Sequence, residues 1–130
     1  STGLNPSNVS TAYDLMKIVS AASHYPLIRE FTTTNEYAMH FGSRTVQFHN
    51  TNGLVNSPDW EIGVSKTGYI SEAGRCLVMQ TWVQGRSLIM VLLDSNGKYT
   101  RTADAIRIKQ WLETSGQARI AKLERPSLEN

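Results

Sequence analysis

Four consecutive residues, Lys66-Thr67-Gly68-Tyr69, combine groups that could hold a peptide carboxylate and polarise a carbonyl. Lys66 supplies a fixed positive charge that can orient a neighbouring hydroxyl, assist proton transfer and attract a carboxylate. Thr67 adds a short, stiff hydroxyl donor for the same carboxylate. Gly68 carries no side chain, so a substrate backbone can approach the strand closely. The Tyr69 N–H can serve as one donor of an oxyanion hole, and a strand edge adds main-chain hydrogen bonds to a peptide. Alone, Lys-Thr-Gly is a common tripeptide that an exposed strand edge explains better. Its setting, at the end of one strand and before a turn and a second strand, gives it weight.

Other chemistry-bearing residues fit plainer roles. His24, His40 and His49 lack the i, i+4 spacing of a helical ligand pair, and with a single cysteine no zinc site assembles. Cys76 sits mid-strand beside Leu77 and Val78 and reads as a buried structural thiol. Trp60, Trp82 and Trp111 could stack on sugars, but packing in a core or at a groove rim is the expectation. Asp59 and Glu61 stand too close together for a glycosidase pair.

The elements that must position the tetrapeptide follow from periodicity and turn chemistry. Thr11 and Asp14 make a capping-box-like start, and Ala12, Leu15, Met16, Val19 and Ala22 recur at helical spacing. Pro26 ends that helix near Tyr25, and a short helical turn is expected over Pro26 to Phe31. Strands over 35–40 and 44–50 flank a Gly42 turn, with Val46 and Phe48 defining a buried face of the second. After a loop over 50–59, three strands (60–69, 75–83 and 86–94) form an antiparallel meander joined by short Gly-containing turns. Leu77, Met79 and Thr81 fall on one face of the middle strand, and Cys76, Val78 and Gln80 on the other. The last strand is apolar throughout over Leu88 to Leu93, which predicts a central position. A final helix is expected over Thr102 to Glu113, with Ala105, Ile108, Leu112 and Trp111 as its buried stripe and Gly116 after its end. The fold class is therefore α+β, an antiparallel meander flanked by helices. Such a small sheet leaves an edge and part of a face under-covered, which an N-terminal partner segment would complete.

Composition agrees with a folded domain. The 130 residues are 40% hydrophobic and 18% charged, which excludes a disordered tail. A net charge of +2 with scattered Lys and Arg gives no footprint for nucleic acid. Ser1 stands where an initiator Met would, and no basic-then-apolar leader follows, so the chain is expected to be processed or truncated.

The stretch Val64-Ser65-Lys66-Thr67-Gly68-Tyr69-Ile70-Ser71-Glu72-Ala73-Gly74-Arg75-Cys76-Leu77-Val78 strongly resembles the low-molecular-weight penicillin-binding proteins, which are D-alanyl-D-alanine carboxypeptidases and endopeptidases. Three more blocks resemble them in order: Thr2-Gly3-Leu4 with Asn8 to Leu15, Phe48-His49-Asn50-Thr51-Asn52-Gly53-Leu54-Val55, and Gly97-Lys98-Tyr99-Thr100 leading to Ala103-Asp104-Ala105 and Trp111. The likeness is greatest to periplasmic endopeptidases that cut D-alanyl-meso-diaminopimelyl cross-links. The resemblance implies the C-terminal part of a penicillin-binding-protein/β-lactamase-like transpeptidase fold over 1–116; the polar, weakly patterned residues 117–130 are expected to form a mobile extension. It implies Lys66 as the third-motif lysine, Thr67 as the carboxylate binder, Gly68 lining the cleft and Tyr69 giving the oxyanion N–H. It also implies a serine acyl-enzyme with no metal or other cofactor, peptidoglycan stem peptides as substrate, and β-lactams as acylating mimics.

The same resemblance requires a Ser-x-x-Lys nucleophile and a Ser-x-Asn element before Lys66, and neither is present. Ser95-Asn96-Gly97-Lys98 is the one Ser-x-x-Lys in the chain; it follows the motif and carries turn chemistry, so it reads as a chance match. Thr33-Thr34-Asn35 is the nearest imitation of the second element and is misplaced. The missing N-terminal segment would supply both, and the chain alone is expected not to acylate. Some carboxypeptidases of the family also use an arginine near the end of the last strand to help bind carboxylate, a role that is empty here or passes to Lys98. Two rival readings stay open: a β-lactamase-like hydrolase, against which the Asn50 to Val55 block speaks, and a non-catalytic homologue that binds peptidoglycan peptides.

Overall fold

A computed structural model of the chain describes residues 3–123. Helix α1 (Ala12–Ala22) is capped by Thr11, whose hydroxyl accepts from the Asp14 N–H at 3.1 Å, as the capping pattern predicts. It buries Val19, with Leu15, Met16 and Ala22 half-buried along the same stripe. It stops three residues earlier than expected. The helical turn expected from Pro26 is present as helix α2 (Pro26–Thr33), with Pro26 at the first helical position, where a missing N–H costs nothing.

Strands β1 (Glu36–Phe41) and β2 (Arg44–His49) pair antiparallel as a two-stranded sheet of their own. The buried face expected for β2 is not found. Only Val46 is half-buried, and Tyr37, Met39, Phe41 and Phe48 are all exposed. Alternation gave the hairpin an apolar face, but no second layer among the described residues lies against it.

A short 3-10 turn (Gly53–Asn56) leads into the main sheet, made of β3 (Ile62–Ile70), β4 (Gly74–Val83) and β5 (Arg86–Ser95). The order is β3-β4-β5, both pairs antiparallel, so the predicted meander is correct and the predicted centre is not. β4 is the middle strand and β5 is an edge. β5 is apolar on both faces because α1 and α3 both pack against it. On β4, Leu77, Met79 and Thr81 are fully buried while Cys76, Val78 and Gln80 are half-buried, which reproduces the two predicted faces. Cys76 is thus not the fully buried thiol expected.

Helix α3 (Thr100–Leu123) closes one face of the sheet. The core lies there: Leu54, Leu77, Met79, Met90 and Ala105, with Trp60, Ile62, Leu92 and Ile108 packed around them. α3 begins two residues early and continues through Gly116, so residues 117–123 of the expected extension are helical and 124–130 lie outside the described residues. Trp111 does not join the buried stripe and is 66% exposed. Ala105, Ile108 and Leu112 are spaced by three and four, and Trp111 falls one position off that line. No helix among the described residues is long and apolar enough to cross a membrane.

Candidate active site

β3 carries the tetrapeptide on the open edge of the sheet. Its inner side pairs with β4, and no strand among the described residues pairs with its outer side. The Ser65 N–H points outward, donating to Thr32 Oγ1 on α2 at 3.3 Å. Because strand residues alternate, Thr67 and Tyr69 present their N–H and C=O to the same open side. The Tyr69 N–H is therefore directed away from β4, as an oxyanion donor requires. The Lys66 ammonium curls over the edge and donates to the Thr67 carbonyl.

The Asn50-Thr51-Asn52 segment fixes this strand. Asn50 Nδ2 donates to the carbonyls of Thr32 and Thr34, at 3.0 Å each, and Asn50 N–H donates to Asn35 O at 2.7 Å. One side chain thus ties the end of α2 to the base of the hairpin. Thr51 Oγ1 lies 2.5 Å from Thr67 Oγ1. Asn52, 3% exposed, donates to Ser65 Oγ at 2.9 Å and accepts from the Leu54 N–H at 3.2 Å. The two residues flanking Lys66 are therefore each held by a side chain from this segment. Thr32, Asn50, Thr51 and Asn52 were not singled out from the sequence as site residues. Asn50, Thr51 and Asn52 fall in the block Phe48 to Val55, whose position before the motif strand was the available signal.

Lys66 and Thr67 border a cavity of about 310 Å³ that also touches Phe31, Thr32, Tyr37, Phe48 and Thr51. Gly68 and Tyr69 continue along the edge beyond it. Gly68 faces open space, for a Cβ built there meets no atom within 4 Å. Nothing within the described chain demands glycine at that position. Tyr69 is exposed, with the Arg75 guanidinium 4.6 Å from its ring centroid.

Lys98 is not brought into the cavity. It lies in the turn before α3, with its ammonium 5.3 Å from the Tyr99 ring centroid. Ser95 and Tyr69 both pair with Arg75, so this turn sits at the same end of the sheet as Tyr69, two strands away. Ser95 closes β5 and Gly97 adopts a φ of 81°, so the Ser-x-x-Lys match is a strand end and a turn rather than a helix start.

The histidines have local partners. His24 Nδ1 lies 2.8 Å from Ser20 O, His40 Nδ1 3.0 Å from Thr45 Oγ1, and His49 faces Glu36 across the hairpin at 3.8 Å. Among the described residues no group of three or more His, Cys, Asp or Glu could hold a metal ion. A second cavity, of about 400 Å³, lies between Val83, Leu88 and the Trp111-Leu112 segment of α3; among the described residues its one charged group is Arg86.

Comparison with known proteins agrees with this architecture. The D-alanyl-D-alanine carboxypeptidase family (S11 peptidases) matches residues 1–97. The chain is 46% identical over 115 residues to a D-alanyl-D-alanine endopeptidase of Pseudomonas aeruginosa and 45% identical to one of Escherichia coli, covering 87% of this chain in each case. It spans 37% of the length of each of those relatives. Among solved structures, a single-residue mutant of the Streptomyces K15 DD-transpeptidase superposes with a TM-score of 0.71 at 34% identity, over 82% of this chain and 43% of that one. A penicillin-binding protein D2 from Listeria monocytogenes, in a cefotaxime-bound form, shares the fold at 23% identity and a TM-score of 0.56, over 72% of this chain and 35% of that one. With an open-edged Lys-Thr-Gly strand, this sheet and a family match over most of its length, the chain belongs to the D-alanyl-D-alanine carboxypeptidase family of S11 peptidases.

Proposed function

We propose that this chain is the C-terminal portion of a serine D-alanyl-D-alanine endopeptidase or carboxypeptidase acting on peptidoglycan stem peptides in the periplasm. The observation that carries the reading is the open β3 edge, where Lys66 and Thr67 stand together and the Tyr69 N–H faces outward. A peptide chain laid along that edge gains main-chain hydrogen bonds, and its terminal carboxylate meets the Lys66 ammonium and the Thr67 hydroxyl. Its scissile carbonyl then lies toward Tyr69, whose N–H stabilises the oxyanion. Lys66 must first release the Thr67 carbonyl, which a substrate carboxylate favours by offering it a charged partner.

The serine that attacks the carbonyl, and the second motif beside it, come from a segment outside this chain. Attack gives an acyl-enzyme and frees the leaving amine, and water then hydrolyses the ester. β-Lactams acylate the same serine. The exposed apolar side chains Tyr13, Ile18, Leu27 and Phe31 on α1 and α2 suit a surface that this segment covers.

Fluorescent penicillin tests the reading. A parent chain of the relatives' length is expected to be labelled covalently and to deacylate slowly, whereas the 130 residues alone stay unlabelled. Fast turnover of the drug would favour a β-lactamase-like hydrolase. A folded parent that never labels would favour a non-catalytic peptide binder, and labelling of the isolated chain would overturn the assignment of Ser95 to a turn.

A further inference from the structure

At the β4–β5 turn the molecule holds its second cavity, of about 400 Å³, which shares no lining residue with the one beside Lys66 and Thr67. Its size lies within the roughly 300–1,000 Å³ typical of small-molecule sites. Two local features that each cost stability build its wall. Val83 pairs with Arg86, and the two residues between them, Gln84 and Gly85, have φ of 51° and 73°. That is the backbone of a type I′ turn, whose first position favours Asn, Asp or Gly over a longer side chain such as glutamine. Gly116 lies inside α3, where glycine weakens a helix. One contact accounts for both. The Gln84 side chain reaches across to α3, donates from Nε2 to the Glu113 carbonyl at 3.1 Å, and fills the space that a Cβ on Gly116 would need. The turn is thereby tied to the helix, and the cavity is walled on that side.

The lining has a simple polarity. Val83, Leu88 and Leu112 supply an apolar floor, and the exposed Trp111 leaves an indole open beside it. Arg86, exposed at the start of β5, is the one charged lining group among the described residues, and it has no ion-pair partner among them. Glu113, an acid on the same part of α3, is occupied by Lys109 at 2.5 Å. A guanidinium without a counter-charge, beside an indole and an aliphatic floor, complements an anion with an apolar body. A sugar fits less well. The Gln84 amide nitrogen is committed to the Glu113 carbonyl, which leaves Ser115 and Arg86 to answer a whole ring of hydroxyls over an apolar floor.

We infer that this cavity is a second binding site for a small carboxylate with an apolar body, in which Arg86 holds the carboxylate and Trp111 stacks on the body. No residue of β3 takes part, so the site stands or falls independently of the peptidase reading.

The test follows the amide and indole N–H signals of the chain while hydrocinnamate, or its uncharged amide, is titrated in. The acid is expected to bind about tenfold more tightly, as a hydrogen bond between charged groups implies. It should move the signals of Leu88, Ser115 and the Trp111 indole and leave those of Lys66 and Thr67 in place. Arg86→Met keeps the aliphatic stem and removes the charge, so the two affinities should converge, whereas Arg86→Lys should keep most of the difference. Trp111→Ala should weaken both ligands several-fold. Arg86 and Trp111 are both exposed, so neither replacement threatens the fold. Equal affinities in the unsubstituted chain, a preference that survives Arg86→Met, or shifts that lie elsewhere would overturn the site. Tighter binding of N-acetylglucosamine than of hydrocinnamate would overturn it as well.

Discussion

Replacing Asn52 by alanine tests whether the Asn50-Thr51-Asn52 segment holds strand β3. Asn52 is 3% exposed, its Nδ2 donates to Ser65 Oγ at 2.9 Å, and its Oδ1 accepts from Leu54 N–H at 3.2 Å. Each lost hydrogen bond costs about 1 kcal/mol net, and the buried Leu54 N–H left without an acceptor adds about 1 kcal/mol or more. Asn52→Ala is therefore expected to cost about 3 kcal/mol in urea unfolding, a large part of the stability of a domain this size. Ser65 is 4% exposed, and Ser65→Ala removes only the shared bond, at about 1 kcal/mol. The double variant should then be less destabilised than the sum of the two, by about 1 kcal/mol. In the same samples, the Lys66 and Thr67 amide signals should broaden or shift in Asn52→Ala. A loss below about 1 kcal/mol, or strict additivity with Ser65→Ala, would refute the claim that this pair clamps the strand.

Four further outcomes follow from the same geometry. Gly74 has a φ of 64° and a Cβ there would sit 2.9 Å from Asp94 Cα, so Gly74→Ala should cost at least about 2 kcal/mol in thermal or urea unfolding. Gly68→Ala meets no atom within 4 Å, so stability should change by less than about 0.5 kcal/mol while N-acetyl-D-alanine binding, followed by amide shifts, falls several-fold. Thr67→Val should weaken carboxylate binding about tenfold in the same titration and Thr67→Ser should restore most of it, since one hydrogen bond to a charged group is at stake. Trp111→Ala should cost under about 1.5 kcal/mol by urea unfolding, against the roughly 3–5 kcal/mol typical of a buried tryptophan.

Local signals survived where one strand or one cap decided the outcome. Thr11 as a cap, the Gly42 turn, the meander and the two faces of β4 all depend on neighbours within a few residues, and all were legible. The misplaced features depend on what covers what. An apolar run from Leu88 to Leu93 is compatible with a central strand or with an edge strand held between two helices, and periodicity cannot separate them. Val46 and Phe48 alternate correctly, yet the second layer that would bury Phe48 is not among the described residues. Gly116 resembles a helix stop because glycine is favoured after helix ends, but here the helix continues through it to Leu123.

The site divides in the same way. The placement of Lys66, Thr67, Gly68 and Tyr69 on one strand was legible, because strand periodicity and the following turn are local signals. Thr32, Thr51 and Asn52 were not, because their contacts with Ser65 and Thr67 bridge 13 to 33 residues of sequence. Those contacts change what the tripeptide is. An edge strand held by one neighbour alone could shift register or fray, and its hydroxyl and ammonium would have no fixed relation. Here the strand is bonded to β4 on its inner side, tied at Ser65 by α2 and Asn52, and tied at Thr67 by Thr51. From Gly68 onward no such tie is present among the described residues, and the outer edge stays open. The strand is thus rigid up to Thr67 and free to pair along its outer edge beyond it, which is the mechanical requirement for an edge that takes up a further extended chain in one register.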